Sequence, residues 1–208
     1  KKPFSYNVSL TLADSKAKIT KFDNPTNSLR TYIVGRDVGE IWGYHIEGLF
    51  RTDAEAANRK IDQSFVNPNI YNEAVGAYRG LQAGDLIYAD LDDSGAVDYG
   101  DYTSDDPGDL RVIGNPRPRY HYSINAGFTW YGFDFSVFFQ GIGRQHIYPG
   151  ANNMLFWGPY ARPYSSFIQT TFLTDVWTED TPDAYYPKAR GYAAQGSRSL
   201  AQTNDRYL

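Results

Sequence analysis

Tyr120-His121-Tyr122-Ser123-Ile124-Asn125-Ala126-Gly127-Phe128-Thr129-Trp130-Tyr131-Gly132-Phe133-Asp134-Phe135-Ser136-Val137-Phe138-Phe139-Gln140 is the stretch whose reading decides the fold. In its first half Tyr120, Tyr122, Ile124, Ala126, Phe128 and Trp130 alternate with His121, Ser123, Asn125, Gly127 and Thr129. After Tyr131-Gly132, Phe133, Phe135, Val137 and Phe139 alternate with Asp134, Ser136 and Gln140. Successive strand side chains point to opposite faces, so residues 120–140 read as a hairpin with long arms, one face apolar and the other polar. The same period of two opens the chain: Phe4, Tyr6, Val8, Leu10 and Leu12 share one parity, Ser5, Asn7, Ser9 and Thr11 the other. Two architectures produce this pattern. A transmembrane β-barrel turns its apolar parity to lipid, with aromatic girdles at both interfaces, and aromatics do sit near both ends of this hairpin's apolar face. A soluble sandwich buries the same parity against a second sheet. Alternation alone leaves both open.

Composition agrees with strands and loops. Among 208 residues there are 12 Phe, 18 Tyr, 4 Trp, 19 Gly and 11 Pro, but 1 Met. With no cysteine, disulfides, thiolate metal sites and cysteine nucleophiles are excluded. The net charge of -4 and the lack of a basic run argue against a nucleic-acid partner. No window approaches 18 apolar residues, which excludes a transmembrane helix, whereas barrel strands need only about 9–11 alternating residues. The chain enters directly on a strand without an initiator Met and reads as an internal piece of something longer.

Between the first strand and the hairpin, extended structure is expected at Ala17 to Phe22, Thr31 to Val34 and Ile41 to Ile46. One short exposed helix is expected after Thr52, which forms a capping-box pattern with Glu55. Beyond Gly141 a long segment rich in Asn, Pro, Tyr and Arg runs to Gln169, and Thr170 to Trp177 reads as one more strand. In that segment Trp157, Tyr160 and Tyr164 are candidates for stacking on a sugar or a partner, or equally for packing within the loop.

Residues 85–109 hold nine Asp and no Lys, Arg or Glu, a loop that repels itself unless a cation is bound. Within it, Asp90, Asp92, Ser94, Asp98 and Asp101 fall at positions 1, 3, 5, 9 and 12 of a calcium-type loop, with Gly95 at the turn and the Ala96 carbonyl at position 7. The pattern departs from the helix-flanked calcium loop in having Asp101 where a longer Glu is usual; a structural calcium ion or an ion-free acidic turn both follow from it. No paired catalytic carboxylates, phosphate loop or serine elbow is present, and His45, His121 and His146 show no metal spacing. No enzymatic activity is expected.

Six further stretches, taken in order, belong together. They are Gly39-Glu40-Ile41-Trp42-Gly43-Tyr44 with Glu47-Gly48-Leu49-Phe50, then Gly84-Asp85-Leu86-Ile87-Tyr88-Ala89-Asp90, and Val112-Ile113-Gly114-Asn115-Pro116-Arg117-Pro118. Gly132 through Gly141, Trp177-Thr178-Glu179-Asp180-Thr181-Pro182 and Tyr186-Pro187 complete the series, and in this order the six resemble one family, the SusC-like TonB-dependent transporters of the Bacteroidetes outer membrane. The resemblance implies that residues 1–208 are part of a 22-stranded antiparallel barrel with long extracellular loops, the plug and N-terminal domains lying before Lys1 and the last strands after Leu208. It further implies import of oligosaccharides or peptides, a SusD-like surface lipoprotein as partner, TonB acting through the absent N-terminal part, and contact with outer-membrane lipid. The alternative reading is a soluble, calcium-stabilised β-sandwich that binds carbohydrate.

Overall fold

The structure, a computed structural model, describes residues 3–71, 80–150, 153–160, 169–190 and 202–208. It is strand-rich, and its helices are single turns or little more. Three long strands, β1 (Phe4–Ala13), β6 (Arg119–Trp130) and β7 (Phe133–Arg144), form an antiparallel sheet in the order β1-β6-β7. Between them in sequence lie four short strands, β2 (Ile41–Gly43), β3 (Ile46–Leu49), β4 (Leu86–Tyr88) and β5 (Arg111–Gly114), which pair as two ribbons, β2-β5 and β3-β4.

Register places like against like. Phe4 pairs with Trp130 and Trp130 with Phe133; below them run Tyr6-Phe128-Phe135, Val8-Ala126-Val137, Leu10-Ile124-Phe139 and Leu12-Tyr122-Gly141. Directly opposed residues share a face, so these five rungs are one apolar surface with an aliphatic middle and aromatic ends. Gly141 closes the last rung because the Tyr122 ring lies across it, where a Cβ would come within 2.4 Å of the hydroxyl. Ser5-Thr129-Asp134, Asn7-Gly127-Ser136 and Thr11-Ser123-Gln140 line the other side, interrupted by Phe138 opposite Asn125. The arms of the hairpin meet at Tyr131-Gly132, whose φ angles of 46° and 92° are the paired positive values of a two-residue turn that matches strand twist.

No second sheet covers the apolar face among the described residues: Tyr6 and Leu12 are each 74% exposed and Leu10 72%. The sandwich expectation therefore lacks its second layer. The turn and the start of β1 share one end of the sheet, where the Tyr131 N–H donates to the Pro3 carbonyl at 3.2 Å. β1 ends, β6 begins and β7 ends at the other end, and the described residues of the segments that connect and follow them lie outside this sheet.

Those segments build a body with its own core, to which the long strands contribute nothing. Tyr44, Ile46, Leu49, Val66, Leu86, Tyr88, Val97 and Leu110 meet Trp157, Tyr160, Phe172, Trp177, Tyr186 and Tyr207 there. Tyr207 is central, its ring 5.2 Å from Trp157 and 6.1 Å from Tyr186. Segment 203–205 reaches it by pairing with Tyr44: the Tyr44 N–H donates to Thr203 O at 2.8 Å and the Asp205 N–H to Tyr44 O at 3.1 Å. A buried ion pair, Asp85 with Arg190 at 2.9 Å, ties the start of the acidic segment to residue 190. Burial pushes the Asp85 carboxyl up to about 6 against the opposing pull of Arg190.

Helix α1 (Asp53–Ala57) forms as its cap predicts, Thr52 Oγ1 accepting the Glu55 N–H at 3.1 Å. The Glu55 carboxylate, however, accepts from the Arg51 N–H at 2.7 Å and so caps one residue earlier than the box pattern implies. Of the other one-turn helices, α2 (Pro68–Tyr71), α3 (Met154–Trp157) and α4 (Phe172–Asp175), the last overturns an expectation. Residues 170–177 are not a strand: Phe172–Asp175 form one helical turn with Phe172 buried in the core and Leu173 81% exposed, and Val176 just beyond it turns extended to bridge Tyr186. Thr31 to Val34 and Ala17 to Phe22 are not strands either. Residues 17–19 pair instead with 35–38, through the Lys18–Asp37 bridge and the bonds from Ile19 N–H to Arg36 O, Gly35 N–H to Ile19 O and Val38 N–H to Ala17 O, a ladder too short to make a strand. Among the described residues no helix is long and apolar enough to cross a membrane.

Trp157→Ala should cost roughly 3–5 kcal/mol in denaturant unfolding, whereas exposed Leu173→Ala should stay within about 0.5 kcal/mol. Because the folded Asp85 pKa lies above its unfolded value, the native state holds a proton that the unfolded chain releases between about pH 4 and 6. Its contribution to stability therefore falls as pH rises through that window, and Asp85→Asn should flatten this part of the stability-against-pH curve.

Candidate functional site

The acidic segment folds as a tight loop because its backbone turns back on itself and its carboxylates absorb the freed N–H groups. Asp93, Gly95, Gly100, Tyr102 and Gly108 all have positive φ. At Gly108 a Cβ would stand 2.4 Å from the Gly100 nitrogen, so two bare backbones touch there and close the loop. Buried Val97 and a parallel bridge between Asp62 and Ala96 anchor it to the body.

Most of these acids have a definite partner. Asp90 accepts from the N–H groups of Ser94 at 3.1 Å and Gly95 at 2.8 Å, and Asp92 accepts from Ser94 at 3.0 Å. The Ser94 hydroxyl donates to the Ala96 carbonyl at 2.9 Å. Asp98 accepts from the Gly100 N–H, and the Asp101 N–H donates to Asp106. Asp109, fully buried, reaches back to accept from the N–H of Asp98 at 2.8 Å and from that of Leu91.

Carboxylate oxygens of Asp90, Asp92 and Asp109 lie within 4.8 Å of one another. This differs from the set expected from spacing. Asp90 and Asp92 are brought together as expected, but Asp98 and Asp101 do not join them, and Asp109, outside the twelve-residue window, does. The Ala96 carbonyl is engaged by Ser94. Asp109 carried no signal in the sequence beyond being one Asp among nine; it is placed by the Gly100–Gly108 contact, which no spacing template contains.

The electrostatics of the cluster are divided. The Ser94 side chain holds the Asp92 carboxyl below the usual carboxylate range. Burial pushes Asp109 up, aided by the charges of Asp92 and Asp90 and opposed by the two N–H donors. Arg111 makes no ion pair with the group, since its guanidinium donates to the carbonyls of Gly108, Leu110 and Leu91, but its charge helps hold Asp92 down. Three carboxylates in an all-oxygen setting suit a hard divalent cation such as calcium, whose charge would reverse the penalty for ionising buried Asp109.

The other expected contacts fall elsewhere. Trp157 and Tyr160 are buried in the core, the indole N–H donating to Gly150 O at 2.7 Å and the Tyr160 hydroxyl to Pro187 O at 2.6 Å. Neither offers a face to a ligand, so these two pack rather than stack on a sugar. Tyr164 lies outside the described residues. His45 pairs with Asp205, His146 accepts the Asn115 N–H, and the three histidines remain apart. In comparisons with known proteins, no family model matches the chain and no curated protein matches it.

Calcium should raise the thermal unfolding midpoint of the chain relative to a chelator control. Asp109→Asn and Asp90→Asn should remove that shift, whereas Asp101→Asn should leave most of it. Equal losses from all three would restore the set expected from spacing.

Proposed function

We propose that the chain is part of a SusC-like TonB-dependent transporter, a 22-stranded outer-membrane barrel that imports oligosaccharides or peptides and performs no catalysis. The observation that supports this reading best is the uncovered apolar face of β1-β6-β7, aliphatic in the middle and aromatic at its ends. From Phe4 to Leu12 the strand runs roughly 27 Å at about 3.4 Å per residue. Tilted by about 40°, it spans roughly 20 Å before the outermost rings are added, close to the ~25 Å apolar band of outer-membrane barrels.

Two further features agree. The two-residue turn at one end and the long segments at the other resemble the short periplasmic turns and long extracellular loops of such barrels. Both β1 and β7 keep an open edge, and closure by further strands is the only way a sheet in lipid satisfies those backbone groups. On this reading the Asn7-Gly127-Ser136 side faces the lumen. The body with its aromatic core lies outside the cell, beside a SusD-like lipoprotein, and TonB acts through a plug elsewhere. Calcium at Asp90, Asp92 and Asp109 would stiffen the extracellular loop and lower the ordering cost of docking that partner.

Fractionation of the native host tests the reading. The protein should sediment with the outer membrane, resist extraction by alkaline salt and dissolve in detergent; a monomer in the soluble fraction would overturn it. Ala126→Arg, in the middle of the apolar face, should cost roughly 2–4 kcal/mol of folding into lipid, while Asn125→Arg on the opposite face should cost far less.

A further inference from the structure

A cavity of about 210 Å³ opens at the loop-bearing end of the long sheet, where the chain leaves β1, β5 ends and β7 enters the body. Lys16, Arg117, Arg119, Arg144 and His146 line it, against only two acids, Asp37 and Glu40. In a chain of net charge -4 this is a local reversal of sign.

Two of the cations are already neutralised. Lys16 Nζ lies 2.7 Å from Asp37, and Asp14 clamps Arg119 through both Nε and Nη2. That guanidinium holds the Asp14 carboxyl down at about 2. Glu40 accepts the Asp37 backbone N–H at 3.1 Å. Arg117 and Arg144, by contrast, have no acidic partner among the described residues. Arg144 stands directly across the β6-β7 ladder from Arg119, so like charges face each other with a single carboxylate, Asp14, beside them. His146 Nδ1 accepts the Asn115 N–H at 3.2 Å, which leaves the proton of the neutral ring on Nε2 as a further donor.

Arg117 and Arg144 share the cavity with Glu40, the one lining carboxylate not held by a cation, so positive charge is in excess there, and planar guanidinium forks match oxyanions bidentately. A tetrahedral oxyanion has enough acceptors for both forks and the imidazole N–H together. We infer that this cavity is a binding site for a phosphate group, held by Arg117 and Arg144 with His146 as a supporting donor. The inference rests on the cavity's own residues and holds whether or not the sheet belongs to a barrel. The phosphate belongs either to a lipid headgroup at a membrane surface or to a soluble molecule.

Calorimetric titration of inorganic phosphate into the full chain, in zwitterionic detergent at low ionic strength without calcium, tests the site. Saturable binding at one site per chain is expected. Arg117→Gln and Arg144→Gln should each weaken it by roughly tenfold or more, and the doubly substituted chain should lose it. Arg30→Gln, which removes a guanidinium lying over the Tyr102 ring, should change nothing. Near-UV circular dichroism confirms that each variant keeps its aromatic core. A second arm places the chain in phosphatidylcholine nanodiscs with or without phosphatidic acid. Phosphate affinity lowered by phosphatidic acid assigns a headgroup, and unchanged affinity assigns a soluble phosphate. No phosphate binding in either setting, or unaltered binding by the folded doubly substituted chain, would overturn the inference.

Discussion

The register of β1 against β6 and of β6 against β7 is the constraint on which the rest of the molecule depends. Phe4 opposite Trp130 and Trp130 opposite Phe133 commit all three strands to one apolar side, and a slip of one residue in either ladder would carry Ser5 or Asp134 in among the rings. Once that register is set, the longest strands have a surface that water disfavours and that nothing in the described chain covers. The body beyond the sheet must therefore hold itself together with its own side chains. The core does so without any residue of the long strands.

That body compensates for having no large sheet by concentrating aromatics. Its ribbons are only three or four residues long, so few backbone bonds hold it, and ring packing around Tyr207 does most of the work. Phe156, Trp157, Tyr185 and Tyr186 all present rings to Tyr207, two of them nearly perpendicular at 5.2 and 5.3 Å. The acidic loop is tolerated on this body because its charge is spread over backbone donors. Asp90, Asp92, Asp98 and Asp109 each accept amide protons that the positive-φ turns leave unpaired.

The long strands were legible because period-two alternation is a local signal that needs no knowledge of the partner. Their extent is less legible at one end: β7 continues to Arg144, since Gly141, Ile142 and Arg144 keep the pairing after the alternation fades. The ribbons were not fully legible, for Ile41 finds Gly114 and Leu49 finds Leu86 across intervals that no window spans. Aromatics in irregular segments were ambiguous in kind. Trp157 and Tyr160 look the same in sequence whether they greet a ligand or a core, and only the arrival of Tyr186 and Tyr207 decides it. The acidic loop was half legible: its first carboxylates follow from spacing, its buried one from a glycine contact.

The pairing of Tyr44 with Asn204 also sets the order in which the molecule can assemble. The hairpin needs only a two-residue turn and forms on a timescale of about 1–10 μs. The body cannot seat its central ring until a loop from Tyr44 to Asn204 has closed, an entropic cost met before any contact repays it. During translation, moreover, the strands emerge well ahead of Tyr207. Greasy edges are therefore on display for most of the folding time, with the cap still incomplete. This is the interval in which a holding chaperone would have to act, and in which two nascent copies would most readily zip together through β1 or β7.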